Sequence, residues 1–124
     1  MIELRDIDPS TPFLAQLQGP DDGRPITLVN TFVVPEGQID KVIDVWRQDS
    51  MIMKAQPGFV SAQLYRGAGD GRALTNVAVW ETLTSLRNAF MSEEFQNTLP
   101  LYPDGSLAFP VVMRGEAVPG VCVA

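Results

Sequence analysis

The sequence predicts an α+β domain with the element order β-α-β-β-α-β, on three observations. Residues 26–34 and 75–81 each alternate with a period of two, as strands with two distinct faces do. Between them Ile39, Val42, Ile43 and Trp46 fall at i, i+3, i+4 and i+7, the spacing of a helix with one apolar face. The glycine-rich segment 67–72 then separates two strand-like runs, as the turn of an antiparallel hairpin does.

Residues 1–25 carry Pro9, Pro12, Pro20 and Pro25 with the turn signal Asp21-Asp22-Gly23, and read as an extended N-terminal arm. Phe13, Leu14 and Leu17 imply that this arm lies against something, a partner subunit being one option. In the first long strand, 26–34, Leu28, Asn30, Phe32 and Val34 share one face, while Thr27, Val29, Thr31 and Val33 share the other. Pro35-Glu36-Gly37 stops it. A helix from about 38 to 55 follows, with Asp40, Lys41, Asp44, Arg47 and Gln48 on its wet side and Trp46 read as core. Pro57-Gly58 ends the helix and opens the strand 59–66. In the segment 75–81, Asn76, Ala78 and Trp80 point one way, and Val77 and Val79 the other. Thr82 is placed to cap a second helix holding Leu83, Leu86, Ala89 and Phe90, and Ser92 to cap a short turn with Phe95 and Leu99. After the breaker at 100–105, a last strand is expected over 107–118. Pro110 inside it favours an edge, a bulge or an exchanged strand. The core domain is thus read as 26–118, followed by a tail at 119–124.

This order is the split βαβ arrangement of ferredoxin-like folds, with both helices on one face of the sheet. The other face would show Thr27, Val29, Thr31, Val33, Val77 and Val79, too apolar a set to leave in water. A homodimer of the dimeric α/β-barrel type, its sheets packed face to face, is the expected remedy.

Composition narrows the function. There is no histidine in the 124 residues, which removes the commonest general base and the commonest metal ligand. Nine basic residues against fifteen acidic ones, a net charge of -6, do not make the basic patch that nucleic acid requires. No apolar run approaches the roughly 20 residues of a membrane span. The first residues lack an apolar signal core, so the expected location is cytoplasmic. Cys122 has no histidine to activate it and reads as an incidental thiol. The glycines of 67–72 lie between strands rather than opening a helix, which argues for a turn over a phosphate loop. Met51, Met53 and Met91 read as adaptable packing that would also suit a pocket wall. Glu93 and Glu94 read as solvated charges at a helix start.

An amide and an indole on one strand face, separated by the small Ala78, form a floor for a flat, partly polar ligand. The same residues carry a resemblance. Asn30 with Pro35-Glu36-Gly37, then Gln56-Pro57-Gly58-Phe59, the run from Asn76 to Thr82, and Ser92-Glu93-Glu94-Phe95 together resemble the antibiotic-biosynthesis monooxygenase family. The resemblance implies a dimeric ferredoxin-like protein with a pocket between helices and sheet. Its haem-degrading branch also carries an asparagine where Asn30 stands, but Phe90 occupies the position of a helical tryptophan and Leu99 lies near that of an axial histidine. Haem is therefore not expected. The cofactor-free branch, which oxidises aromatic polyketide phenols to quinones, carries an asparagine and a tryptophan four residues apart, matched by Asn76 and Trp80. Leu64 and Leu86 stand where that branch has pocket tyrosines, so substrate placement would differ.

The resemblance implies oxidation of a phenol or hydroquinone with O₂ as co-substrate and no metal, flavin or haem. Asn76 is assigned to the reacting oxygen, Trp80 to the ring by stacking, and Asn30 to a second polar contact. Phe32, Ala78, Leu64, Leu86 and Phe90 are expected to line the substrate site, with Arg87 a candidate for anion stabilisation. Trp80 has a rival reading as a core aromatic, and Asn76 as a residue satisfying backbone. Two other functions stay open: a non-catalytic small-ligand-binding dimer, and a polyketide cyclase or lyase on the same fold.

Overall fold

Strand pairing follows the alternation. The computed structural model describes every residue from Met1 to Ala124. In chain order its elements are Glu3–Leu4 (β1), Phe13–Leu17 (α1), Ile26–Val33 (β2), Ile39–Lys54 (α2), Phe59–Arg66 (β3), Ala73–Trp80 (β4), Leu83–Phe90 (α3), Glu93–Gln96 (α4), a 3-10 turn at Leu99–Leu101, and Leu107–Met113 (β5). The sheet order is β1-β5-β2-β4-β3, parallel between β1 and β5 and antiparallel elsewhere. The four long strands reproduce the ferredoxin-like order, and β1 adds a short fifth at the outside. The protein is an α+β fold built on a mixed sheet.

The segment read as an extended arm is partly regular and packs into the same core. Ile2, Phe13 and Leu17 are buried, and Leu17 is fully enclosed. Gln16 extends the sheet with its side chain: its amide nitrogen donates to the Val112 carbonyl at 3.1 Å, and its Oε1 accepts from the Val112 N–H at 2.9 Å. Pro110 finds its place between these props. It stands opposite Asn30, and its missing N–H falls on the outer edge between β1 and Gln16, where no strand needs it. β5 ends at Met113 rather than running on to 118. Its partner β2 begins at Ile26, with Thr27 opposite Met113, so further residues have no strand to pair with.

On α2 the deepest positions are Val42, Val45 and Asp49, with Ile39, Ile43 and Trp46 partly buried at their side. The apolar stripe thus continues through an aspartate. Thr82 caps α3, its Oγ1 accepting from Ser85 N–H at 3.1 Å, and Ser92 caps α4, its Oγ accepting from Phe95 N–H at 3.3 Å. No helix is long and apolar enough to cross a membrane.

Gly58, in the turn between α2 and β3, packs against Ser85 of α3. Its φ of +88° suits glycine, and a Cβ there would lie 2.1 Å from Ser85 Oγ. Gly58→Ala is expected to lower stability by about 2 kcal/mol through left-handed strain and overlap. Urea unfolding checks it; an unmoved midpoint would mean that Ser85 turns away without cost.

Candidate functional site

Alternation sends Leu28, Asn30 and Phe32 of β2, and Asn76, Ala78 and Trp80 of β4, toward the helices. The antiparallel register sets Asn30 directly opposite Asn76, with the pair Leu28 and Ala78 on one side and Phe32 and Leu74 on the other. Both asparagines line a cavity of about 60 Å³ between the sheet and α2, closed at the back by Phe13, Phe90 and Phe95. The Oδ1 atoms of both are buried and meet no donor. Leaving such an acceptor unmet costs about 1–3 kcal/mol, so two on one wall call for a reason beyond packing.

Across the cavity lie Asp49 from α2 and Tyr102 from the loop before β5. Asp49 is 6% exposed and Tyr102 2%. The Tyr102 hydroxyl donates to Asp49 Oδ2, and Ser50 Oγ donates to Oδ1 at 3.3 Å. Burial pushes the Asp49 carboxyl up to about 7, against the opposing pull of the Tyr102 and Ser50 hydrogen bonds. Burial, and then the Asp49 charge, push the Tyr102 phenol above its ordinary range, so it stays a donor. The Tyr102 ring stacks on Phe32, with centroids 6.2 Å apart and an interplanar angle of 15°.

A second cavity, of about 40 Å³, shares Leu28, Asp49, Met53 and Asn76 with the first and adds Trp80 and Ala78. Asn76 and Trp80 therefore do meet at one space. Trp80 is 1% exposed and sits edge-on against Phe59 at 5.4 Å, so it forms a fixed wall rather than an open stacking platform.

Three expected site residues lie elsewhere. Leu64, half-buried on the edge strand β3, pairs with Asn76 in register but lines neither cavity. Leu86 is fully enclosed in the core beneath α3. Arg87 donates to the Leu17 carbonyl at 2.9 Å and to Thr84 Oγ1 at 3.2 Å, fixing the end of α1 rather than facing the cavities. Conversely, Trp46 and Met53 line the cavity that holds both asparagines, whereas Met51 and Met91 are exposed. Asp49 and Tyr102 were not singled out by the sequence. For Asp49 a signal existed, an acid three residues beyond Trp46 on the apolar stripe; Tyr102, between breakers, had none. No group of three or more His, Cys, Asp or Glu side chains is placed to hold a metal ion.

The fold and site define an α+β protein with a largely apolar inner cavity carrying a few convergent polar groups. Residues 25–100, more than half of the chain, match the family described as antibiotic biosynthesis monooxygenase, and the protein belongs to that family. Among solved structures it is similar to SnoaB, a cofactor-independent oxygenase from Streptomyces nogalater. That match has a TM-score of 0.70 and 23% identity, and covers 78% of this chain and 98% of SnoaB. At that identity the likeness is one of fold. A candidate monooxygenase from Shewanella loihica PV-4 is similar with a TM-score of 0.65 and 26% identity, covering 81% of this chain and all (100%) of that one. No curated protein sequence matches this one.

Proposed function

We propose that this protein is a cofactor-independent monooxygenase that oxidises an aromatic polyketide-like phenol or hydroquinone to a quinone with O₂. The observation that carries the reading is the pair of unmet asparagine oxygens, Asn30 and Asn76, buried on the wall of an apolar cavity. Family membership supports it, as does the fold shared with SnoaB, itself a cofactor-independent oxygenase.

The substrate supplies the electrons. Its phenolate passes one electron to O₂, the resulting radicals join at a ring carbon, and the peroxide loses water to leave a carbonyl. A phenol thus becomes a quinone with one oxygen atom kept and the other leaving as water. The protein's share is to hold the ring, exclude bulk water and place amide groups where oxygen gathers charge. Asn76 serves the reacting oxygen, Asn30 the second polar contact, and Trp80 the wall against the ring. Met53 borders both cavities, and rotation of its flexible chain would join them into a longer slot. A homodimer belongs to the same reading. The helix-free sheet face carries half-buried Val29, Val77, Val79, Phe109 and Val111, a patch suited to a second copy.

The test is oxygen uptake by metal-stripped protein given naphthols and anthrones, with quinone absorbance recorded in parallel. Uptake matched by quinone is expected, slowed about tenfold or more in Trp80→Phe as the wall recedes. No uptake from compounds that nevertheless quench tryptophan fluorescence would replace the oxygenase with a ligand-binding protein.

A further inference from the structure

We infer that Asp49 is the proton acceptor of this cavity, taking the hydroxyl proton of a bound phenol, and that Tyr102 is the residue that positions it. The inference rests on the phenol-binding part of the reading above and adds a base to it.

Three observations carry it. First, the Asp49 carboxyl borders both cavities and lies opposite the asparagine pair, so a ligand hydroxyl between them meets acceptors on either side. Second, no cation neutralises this buried carboxyl. The cavity walls hold no lysine, arginine or second carboxylate. Of the elements packed on α2, α4 carries Glu93 and Glu94, and β3 carries Tyr65 and Arg66; all are exposed, and none lines a cavity. On α2 itself Arg47 pairs with Asp44 at 3.1 Å. Tyr102 is the titratable group that faces Asp49. Third, asparagine would also accept the Tyr102 hydrogen bond and would cost less to bury than a carboxylate. A merely structural staple has no use for an ionisable group, whereas a carboxyl held near neutrality is matched to proton transfer at working pH.

In the step itself the ligand O–H bond breaks and an O–H bond forms on Asp49. The negative charge passes to the ring oxygen, and the Asn30 and Asn76 side-chain amides, turned so that Nδ2–H replaces Oδ1 at the cavity, donate to it. After O₂ adds, the same proton goes to the peroxide oxygen, and Asp49 returns to its anion. Atoms and charge balance over the cycle. Tyr102 donates to Oδ2 throughout and steers the carboxylate toward the cavity.

Calorimetric titration of the full chain with 2-naphthol under argon, from pH 5 to 9, tests the inference apart from oxygen chemistry. Affinity is expected to rise about tenfold as pH passes through about 7, because a carboxylate accepts the hydroxyl more strongly than the neutral acid. Asp49→Asn, which keeps an acceptor for Tyr102, should bind with no pH dependence. Tyr102→Phe should move the transition up by about one pH unit, since a hydrogen bond to the anion is lost. 2-Methoxynaphthalene, which has no proton to give, should respond to neither pH nor Asp49→Asn. Failure of 2-naphthol to bind, or an equal pH response from the ether or from Asp49→Asn, overturns the inference. If quinone forms while Asp49→Asn leaves naphthol binding unchanged, the oxygenase stands and Asp49 is not its base. If the binding pattern holds without any oxidation, the reverse is true.

Discussion

Asn76→Ala is expected to lower kcat for phenol oxidation by about a hundredfold or more, the scale on which a single donor to developing oxygen charge acts. Stability should stay where it is or rise. In the folded protein the Asn76 carbonyl oxygen is buried without a donor, so removing it relieves a penalty and breaks no hydrogen bond. Loss of activity with a steady or higher urea midpoint is the pattern of a residue kept for its ligand. A fall in both would make Asn76 a structural residue after all. Asn30 stands directly opposite in the sheet, so Asn30→Ala should act in the same direction. The double variant should fall short of the sum, because the two amides serve one oxygen-bearing region. If kcat holds and only KM rises, Asn76 positions the ring and does no more.

What the sequence made legible follows from what is local. The inward set of Asn76, Ala78 and Trp80 is fixed by backbone alternation, whatever the strand pairs with. The α2 stripe and the caps Thr82 and Ser92 are likewise set within one or two turns of chain. Facing of Asn30 with Asn76 is a different matter, because it depends on the β2–β4 register between strands more than forty residues apart. Phe13 and Leu17 mark the arm as lying against something, but only the assembled fold shows that their short helix packs on α3 and β5. Arg87 sat at a plausible position on α3, but the carbonyl of Leu17 claims its guanidinium, a contact between elements that no spacing reveals. Asp49 is illegible locally because an acid on a helix reads as solvent-facing unless the apolar stripe continues past Trp46. Tyr102 reaches it from fifty-three residues away.

Stability should fall as pH rises from about 4 to about 7, by up to roughly 4 kcal/mol, and then level off. The sign follows from Asp49. Burial raises its carboxyl from 3.8 to about 7, so within that window the native state holds a proton that the unfolded chain has lost. The contribution is therefore complete below about 4 and gone once pH passes the native value. Asp8, Asp21, Asp22 and Asp44 are shifted the other way, downward, by hydrogen bonds from their neighbours. Their contributions fade only as pH drops toward and below 3.8, outside the window, and they do not mask the slope. Urea midpoints taken from pH 4 to 8 measure it, with Asp49→Asn as the comparison: equal to the wild type near pH 4, more stable at pH 8, and flat between. A flat wild type would mean that the carboxyl sheds its proton into a solvated setting, and the case for a base would go with it. A slope that Asp49→Asn abolishes would show the folded state weakened at neutral pH by one side chain. Set beside the unmet oxygens of Asn30 and Asn76, it would place three costs to folding on the walls of a single cavity, each of which a donor group on a bound ligand would offset.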